Sequence, residues 1–403
     1  MAGPLEGVRV LDTTSMISGP LATMLLADQG AEVIKVENPA LGDHTRSVAN
    51  RRGGFSASFL NNNRNKRSVA LNLKHADGLD TLKRLAADCD VFVQNFRPGV
   101  ADRIGIGEDA IRAVRPDVVY VSISGFGEQG DYAQKPVYDP LVQSLSGLTT
   151  VQAGSDEARP RLVRTILPDK LTGMTAAQAI CAALYRRLRT GEGQHIKLSM
   201  LGSVVAFLWS SDMGSQTFVG GEFAQQEAAS FIDLIYETRD GYISIAVQSD
   251  KEWAALARAL GKPEWLEDAR FKTPELRHRN IDQRLNLTQK AVGHLTTEEL
   301  LAMLEPAGVP CAPVLTRNEM IGHPQVGANA IVVESEHPQA GTLRQAAPPA
   351  EFSKTPAGIR FGAPRLGEHT REVLLAVGYS EEEVRRLAQD GAIGLAEARE
   401  TAT

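Results

Sequence analysis

The stretch that decides the fold is VRVLDTTSMISGPLATMLLADQGAEVIKVE, residues 8–37. Residues 8–14 are apolar and strand-like, and Pro20 suits the first turn of a helix that Gly30 would close. A second apolar run, 32–37, predicts another strand. Strand, helix and strand in this order predict a β-α-β unit, which begins a parallel sheet. The loop before the helix lies at a helix N-terminus, where backbone N–H groups favour anions.

The alternation of strand and helix continues along the chain. Helices are predicted at about 76–88, 108–114 and from Asp169 to Arg189, and strands at 91–96, 118–124 and 195–200. Strands separated by helices indicate a sheet with helices on both faces. We therefore expect residues 1–225 to form a doubly wound, Rossmann-like α/β domain.

The pattern changes after residue 225. The segment FIDLIYETRDGYISIAV (231–247) has Asp240-Gly241 between two apolar runs, which predicts a hairpin. Two capping-box patterns predict helix starts, Ser249 to Glu252 and Thr296 to Glu299. We expect a smaller α+β domain over 226–325 and a C-terminal segment over 326–403, with a helix at about 380–389.

Composition and charge narrow the function. The chain has 403 residues, 43% hydrophobic and 23% charged, which is typical of a globular protein. A net charge of −6 argues against nucleic acid as the main partner. Three cysteines, none in a C-x-x-C pair, suit a reducing compartment. With no signal peptide and no long apolar run, we expect a soluble, cytoplasmic protein without membrane partners.

Several catalytic motifs are missing or incomplete. Residues 125–130 match G-x-G-x-x-G, but prolines follow and no helical period opens there, which argues against a dinucleotide site. The sequence has no metal-binding histidine spacing, no G-x-S-x-G elbow and no phosphate loop of the G-x-x-x-x-G-K type. We therefore expect no metal and no tightly bound cofactor. Carboxylate chemistry with an anionic ligand remains.

Three segments could serve such chemistry. The basic stretch 61–68, taken alone, is best interpreted as a solvated loop. The segment 95–99, at the carboxyl end of a strand, could hold a phosphate or adenine edge, or could simply be a turn. Asp169 stands where the long helix starts, and position alone favours an N-cap role. The alternative is a nucleophile that attacks a thioester carbonyl, with loop N–H groups stabilising the oxyanion.

Eight segments, taken in order, resemble the class III CoA-transferases (CaiB/BaiF), the family of formyl-CoA transferase and carnitine CoA-transferase. They are GPLATMLLADQGAEVIKVENPALGDHTR (19–46), NRNKRSVALNLK (63–74), VQNFRPGVADRIGI (93–106), SGFGEQGDY (124–132), YDPLVQSLSGL (138–148), TGEGQHIKLSM (190–200), GVPCAPV (308–314) and LGEHT (366–370). The resemblance covers about 5–390. It implies an enzyme of class EC 2.8.3.- with coenzyme A and acyl-CoA as substrates.

The resemblance also implies a mechanism and a set of site residues. Asp169 falls on the family's catalytic aspartate, which forms a mixed anhydride and then an aspartyl-CoA thioester. Positions matching the family's CoA contacts are Ser18, Leu71, Leu73, Lys74, Asn95, Phe96, Arg97, Arg103, Tyr138 and Met200. Among these, Lys74 and Arg103 are the expected partners of the ADP phosphates. Family members are interlocked homodimers in which the C-terminal segment returns to the large domain.

Departures from the family pattern bear on the substrate. Formyl-CoA transferases carry His and Gln where this chain has Ser15 and Ile17, and an Arg where it has Asn38. Their glycine-rich lid is reduced here to Gly220-Gly221. These changes argue against formyl-CoA and oxalate. They favour another acid pair, such as a dicarboxylic acid with a succinyl-CoA-type donor.

Two alternatives lie close to this prediction. An α-methylacyl-CoA racemase of the same superfamily uses a histidine where this chain has Tyr138, and an unactivated tyrosine is a poor base at neutral pH. A non-catalytic CoA-binding protein would have no need of Asp169. The predicted partners are therefore acyl-CoA, a carboxylic acid and a second copy of the chain.

Overall fold

The computed structural model describes residues 3–48, 50–220 and 234–396. Its strands are β1 (Arg9–Asp12), β2 (Glu32–Glu37), β3 (Arg51–Arg52), β4 (Phe55–Ser56), β5 (Lys66–Leu71), β6 (Val91–Gln94), β7 (Val119–Ser124), β8 (His195–Ser199), β9 (Ile235–Glu237), β10 (Tyr242–Ile245), β11 (Cys311–Pro313), β12 (Val332–His337), β13 (Gly341–Ala346) and β14 (Ile393–Gly394).

The helices follow the same chain order. They are α1 (Ser18–Asp28), α2 (Ala57–Asn63), α3 (Ala76–Ala86), α4 (Val100–Arg103), α5 (Glu108–Arg112), α6 (Asp139–Leu145), α7 (Leu148–Ala153), α8 (Leu167–Thr190), α9 (Met200–Trp209), α10 (Gly214–Thr217), α11 (Asp250–Ala259), α12 (Pro274–Arg279), α13 (Ile281–Val292), α14 (Thr297–Leu304), α15 (Arg317–Gly322), α16 (Pro324–Ala328), α17 (Thr370–Ala376) and α18 (Glu381–Gln389). Short 3₁₀ turns occupy His44–Ser47 and Pro263–Leu266.

A seven-stranded, mostly parallel sheet forms the centre of this mixed α/β fold. Its strand order is β14-β5-β2-β1-β6-β7-β8, and only β14 runs antiparallel to its neighbour. Val10 of β1 lies opposite Val33 on one side and Val91 on the other. Strand order reverses at β1, because the chain adds strands first beyond β2 and then beyond β6. Doubly wound sheets have this order and bind ligands at the point of reversal.

Both faces of the central sheet are covered. Successive strand residues point to opposite faces, so Leu11 and Phe92 pack with α3 while Val10 and Val93 pack with α1 and α8. Each face has its own buried apolar cluster. In the second cluster, Ile180 of α8 is fully buried, and truncating such a side chain to alanine costs about 2–5 kcal/mol. This second core holds α1 and α8 against one face of the sheet.

The chain divides into two compact units. One comprises Met1–Ala228 together with Ala330–Thr403, and the other Ala229–Asn329. In the first unit the C-terminal strand β14 pairs with β5, and β12 and β13 form a separate hairpin. The second unit has a three-stranded sheet of order β11-β10-β9 around its own apolar core, which includes Trp253.

Most predicted elements are confirmed, with shifted ends. The helix after β1 begins at Ser18, which places Pro20 in its first turn as predicted, and α8 begins at Leu167, two residues before Asp169. The hairpin around Asp240-Gly241 forms from β9 and β10, although residues 231–233 of its predicted strand lie outside the described residues. Both predicted capping boxes are present, at the starts of α11 and α14.

The interpretation of 61–68 as a solvated loop is wrong. Residues 61–63 end helix α2, and Lys66–Leu71 form a strand inside the central sheet. Arg64 is buried because it pairs with Asp28 at 2.7 Å, and Lys66 is fully buried against Asp12. Distant carboxylates pair with these cations, and that pairing is invisible in the local sequence.

The G-x-G-x-x-G segment behaves as predicted. Strand β7 ends at Ser124, and the next helix begins only at Asp139. Gly127 and Gly130 have φ of +99° and +78°, so they serve turns in the connecting loop. The helix that would bind a dinucleotide pyrophosphate is absent from this segment.

Candidate active site

The first turn of α8 carries Asp169, the predicted nucleophile. Ile166 caps this helix and makes no side-chain cap hydrogen bond. Asp169 is the third helical residue, so the N-cap interpretation of its carboxylate is wrong. Its Oδ1 instead accepts a hydrogen bond of 2.5 Å from the Ser18 hydroxyl, at the start of α1. A neighbouring segment of the chain therefore orients this carboxylate.

Two glycines allow close packing around Ser18, one between α1 and the loop before it and one between α1 and α8. A Cβ on Gly173, one turn after Asp169, would lie 2.7 Å from the Ser18 carbonyl oxygen. A Cβ on Gly19 would lie 2.4 Å from the Thr14 Cβ. Both distances are too short for non-bonded carbon contacts. Gly173 therefore lets α8 approach Ser18, and Gly19 lets the start of α1 pack tightly against Thr14 of the preceding loop.

The surroundings of Asp169 disfavour its hydration. Burial raises the pKa of the Asp169 carboxyl, and the nearby charge of Asp139 raises it further. The hydrogen bonds from Ser18 oppose both effects, since they stabilise the ionised form. A carboxylate that is ionised but poorly solvated is better suited to attack a carbonyl than one with a full hydration shell.

Asp139, at the first position of α6, is a second buried acid beside Asp169. Its Oδ2 accepts the Asp169 backbone N–H at 3.4 Å, and its Oδ1 accepts from Gln143 Nε2 at 2.6 Å. Burial raises the pKa of Asp139. The sequence analysis missed this residue, although it directly follows Tyr138 in the motif YDPLVQSLSGL.

A cavity of about 290 Å³ opens in front of Asp169. The carboxyl ends of β6 and β7 and the loop after β1 form its walls, at the point where the strand order reverses. Seven of the predicted site residues line it, namely Ser18, Asn95, Phe96, Arg97, Tyr138, Asp169 and Met200. The fold thus brings together residues that are far apart in the chain.

Four predicted residues lie outside this cavity lining. Leu71 belongs to the apolar core on the α3 face, and Leu73 packs against the same core. Lys74 and Arg103 are exposed. A Cβ on Gly99 would lie 3.5 Å from Arg103 Nη1, so this guanidinium folds back towards the 95–99 loop.

Asn95 fixes the loop after β1 from the side. Its Oδ1 accepts the Ser15 N–H at 3.0 Å, and its Nδ2 donates to the Ser15 carbonyl at 2.7 Å. The Met16 N–H donates to Asp43 Oδ1 at 3.3 Å, and Met16 itself has φ of +70°. Because these two loop N–H groups are already bonded, they do not form the predicted oxyanion site.

Buried charged side chains of β1, β2 and β5 also hold the loop after β1 in place. Asp12 accepts a hydrogen bond from the Thr14 N–H at 2.9 Å and forms an ion pair with Lys66 at 3.0 Å. Lys35 donates to the Thr14 carbonyl at 2.9 Å and pairs with Asp43 at 2.9 Å. The side chains of both lysines are fully buried. Together these four charged groups anchor the backbone that leads to Ser18.

The pKa values of these groups keep the network charged at neutral pH. Burial alone would raise the pKa of Asp12, but Lys66 and Lys35 outweigh it and hold that pKa well below its usual value. Burial, opposed mainly by Asp12, lowers the pKa of Lys66 to about 8. Burial would also lower the pKa of Lys35, but Asp12 and Asp43 outweigh it and raise that pKa.

Sequence reasoning missed Lys35 and the cavity residue Lys135, and it placed Lys66 in a solvated loop. Lys35 interrupts the apolar strand EVIKVE, and a lone cation in such a strand is the pattern that could have revealed it. Lys135 lines the cavity and lies 3.4 Å from the centre of the Tyr132 ring. Among the described residues, no group of His, Cys, Asp and Glu side chains is arranged to hold a metal ion.

Comparison with known proteins identifies the family. Residues 5–370 match the family described as CoA-transferase family III. The chain belongs to this family. The succinyl-CoA:glutarate CoA-transferase of Mus musculus is 34% identical over 97% of this chain and 90% of its own length. The formyl-CoA:oxalate CoA-transferase of Shigella sonnei is 32% identical, over 98% of this chain and 100% of its own.

Solved structures agree with the family assignment. A CAIB/BAIF family protein from Brucella suis superposes with a TM-score of 0.81 and 29% identity, covering 94% of this chain and 100% of that chain. Rv3272 from Mycobacterium tuberculosis gives a TM-score of 0.80 and 30% identity, covering 92% and 98%. The predicted family and the prediction of an enzyme are confirmed. The protein is a family III CoA-transferase that acts on acyl-CoA.

One finding concerns membranes. Within the three described ranges, no helix has both the length and the hydropathy needed to cross a bilayer.

Proposed function

We propose that this CoA-transferase moves coenzyme A from an acyl-CoA donor to a carboxylic acid acceptor, with Asp169 as the covalent nucleophile. The placement of the Asp169 carboxylate carries the proposal. It lines a cavity at the carboxyl edge of the sheet, is oriented by the Ser18 hydroxyl, and is only partly solvated. None of these features serves to cap α8.

The first half of the reaction loads CoA onto the enzyme. An Asp169 carboxylate oxygen attacks the thioester carbonyl of the donor, and the C–S bond breaks to release CoA thiolate. The product is a mixed anhydride between Asp169 and the donor acyl group. The thiolate then attacks the aspartyl carbonyl, the anhydride C–O bond breaks, and the donor acid leaves as its carboxylate.

The second half reverses these steps with the acceptor. The acceptor carboxylate attacks the aspartyl thioester, expels CoA thiolate and forms a new anhydride. The thiolate attacks the acceptor acyl carbonyl, which releases the new acyl-CoA and regenerates the Asp169 carboxylate. Each intermediate retains an activated acyl group, so the cavity must exclude water during turnover.

The CoA contacts follow the family resemblance. We propose that Lys74 and Arg103 bind the ADP phosphates, since both are exposed cations at positions that match the family's CoA contacts. Leu71 and Leu73 would support, from the apolar core, the segment that lies along the nucleotide. Asn95, Phe96 and Arg97 would form a second segment in contact with CoA. Tyr138 and Met200, which line the cavity with Asp169, would contact the pantetheine end.

For the substrates, we propose a dicarboxylic acid acceptor and a donor of the succinyl-CoA type. The departures at Ser15 and Ile17 support this choice. Asn38 supports it too, since its Oδ1 accepts the N–H groups of Ala40 and Leu41 and so serves a local turn. The mouse relative named for succinyl-CoA and glutarate adds support. The Gly220-Gly221 lid falls partly outside the described residues.

The remaining expectations are proposals about organisation. We propose a large CoA-binding domain over 1–225, a small domain over 226–325, and a C-terminal segment over 326–403 that returns to the large domain. The family resemblance supports an interlocked homodimer. The sparse cysteines, none of them in a C-x-x-C pair, support a cytoplasmic location.

A matrix assay tests the proposed activity. Purified protein is incubated with each of several acyl-CoA donors and each of several carboxylic acids, and new acyl-CoA species are detected by mass. We expect transfer to dicarboxylates that the Asp169→Asn variant does not catalyse. Transfer that persists in that variant would contradict the nucleophile, and proton exchange at Cα without any acceptor would indicate a racemase.

A further inference from the structure

A second cavity, of about 1190 Å³, lies beside the predicted nucleophile and has no role in the mechanism above. The segment 159–166, which leads directly into α8, forms most of its lining, and the start of α6 with Gln152 of α7 completes it. Asp139 belongs to this lining, and its Oδ2 accepts the Asp169 backbone N–H. The first turn of α8 therefore stands next to both cavities.

The lining of this second cavity is cationic. Arg159, Arg161 and Arg164 all line it, and all three are exposed. Within the described part of the chain, no carboxylate forms an ion pair with any of them. The one acid in the lining, Asp139, already accepts hydrogen bonds from Gln143 and from the Asp169 backbone. Three guanidinium groups thus remain available for an anion.

The backbone that carries these arginines is fixed. The Arg161 N–H donates to the Thr149 carbonyl at 3.0 Å, and the Val163 N–H donates to Gln143 Oε1 at 2.9 Å. Gln143 Nε2 returns a bond of 3.2 Å to the Val163 carbonyl. Because α6 and α7 hold the segment, the arginine side chains start from a defined backbone, which lowers the entropy cost of binding.

The same lining supplies an apolar surface. Leu162 and Ile166 are 47% and 40% exposed and alternate with the arginines along the segment. A ligand with methylene groups and a terminal anion matches this combination. Planar guanidinium groups bind carboxylates through paired N–H···O bonds, which give geometric selectivity as well as charge.

We propose that this arginine cavity binds the remote carboxylate of a dicarboxylic acid while the other carboxylate reacts at Asp169. The inference rests on the proposed function and specifies its substrate class. It assigns Arg159, Arg161 and Arg164 to acid selection, separate from the cations proposed for the ADP phosphates. Loss of these charges should therefore weaken dicarboxylates more than monocarboxylates.

Steady-state kinetics with matched acids test the proposal. Three proteins are assayed: the wild type, Arg164→Gln, and the triple variant that adds Arg159→Gln and Arg161→Gln. Each is given glutarate or pentanoate, which has the same carbon chain, as the acceptor acid. We expect the triple variant to raise the KM for glutarate at least tenfold, with kcat/KM for pentanoate and KM for the acyl-CoA donor unchanged. Arg258→Gln, an exposed arginine of α11, is the control and should change none of these values.

Three outcomes would overturn the arginine assignment alone. The first is an equal loss of kcat/KM for both acids in the triple variant. The second is a raised KM for the acyl-CoA donor without a change in acid preference, and the third is a wild-type enzyme that prefers pentanoate to glutarate. The second would assign the arginines to the CoA phosphates. If the wild type transfers CoA to no acid, the proposed function fails instead. Calorimetric binding of glutarate to the wild type and to the triple variant still tests the cavity in that case. Equal glutarate affinity of the two proteins would contradict the assignment of the arginines to carboxylate binding.

Discussion

At the scale of single residues, Asp169 lies between two neighbours with opposite effects on its charge. The Ser18 hydroxyl stabilises the ionised carboxylate, whereas the charge of Asp139 and burial stabilise the neutral acid. A nucleophilic carboxylate must be ionised to attack. The balance between these neighbours therefore sets the pH below which the enzyme loses activity.

Ser18→Ala should move the acid limb of the pH profile to higher pH. Removing the hydroxyl removes a hydrogen bond to the ionised form, so the pKa of Asp169 rises further. Hydrogen bonds to charged groups contribute about 1.5–3 kcal/mol, so kcat/KM on the acid limb of the profile should fall roughly 10- to 100-fold, with a smaller loss above it. The measurement is kcat/KM against pH. An unshifted acid limb would show that Ser18 does not control this carboxylate.

Asp139→Asn should move the same limb the other way. The substitution removes a negative charge that raises the pKa of Asp169, while the side-chain oxygen can still accept the Asp169 N–H. The pKa of Asp169 therefore falls, and activity should persist to lower pH than in the wild type. The profile is recorded in parallel with that of Ser18→Ala. A shift of both variants in one direction would refute this electrostatic arrangement.

At the scale of elements, the loop from β1 to α1 depends on buried ions. Asp12 with Lys66 and Lys35 with Asp43 link β1, β2 and β5 to the backbone at Thr14. Buried ion pairs add little net stability, but a buried charge left without its partner is costly. The network therefore serves chiefly to hold the active-site loop in one conformation.

Lys66→Met should destabilise the fold by about 3–5 kcal/mol, because it leaves Asp12 buried without its main counter-ion. Adding Asp12→Asn should recover a substantial part of this loss, since the leftover charge is removed while the acceptor for Thr14 is kept. Urea unfolding of the wild type, single and double variants measures the effect. A single variant within about 1 kcal/mol of the wild type would contradict it.

Element by element, the sequence was most informative where apolar periodicity was local. Strands β1, β2, β6 and β7 were predictable because apolar residues, mainly valine with isoleucine, leucine and phenylalanine, make up at least half of each. Strand β5 was not, because its first half reads as a basic loop. Lys66 is tolerated inside the sheet only because Asp12, 54 residues earlier, is brought beside it. No local sequence pattern predicts an ion pair between residues so far apart in the chain.

At the scale of the whole molecule, the order of strands and helices along the chain predicted where the site lies better than it predicted the chemistry of its residues. A parallel sheet whose strand order reverses at β1 implies a cleft at that edge, and seven of the predicted residues line it. The chemistry could not be read from position, since Asp169 looked like an N-cap. The role of Asp139 depends on how α6 packs beside α8, which the sequence does not specify.

The proposed interlocked dimer makes a prediction about subunit exchange. Two chains linked as rings cannot separate while folded, so two differently tagged dimers mixed in native buffer should form no mixed dimer over days. Mixed dimers should appear after joint unfolding and refolding. Native mass spectrometry measures the three species. Free exchange in native buffer, or a mass matching the 43.5 kDa of one chain, would exclude interlocking.

The most direct test of the account is to trap the covalent intermediate on Asp169. The enzyme is incubated with acyl-CoA alone, treated with hydroxylamine and digested with trypsin, which releases the peptide TILPDK (165–170). We predict a hydroxamate on Asp169 that requires acyl-CoA and is absent from Asp169→Asn. An unmodified peptide from enzyme that is actively transferring CoA, or a label on another residue, would contradict Asp169 as the nucleophile.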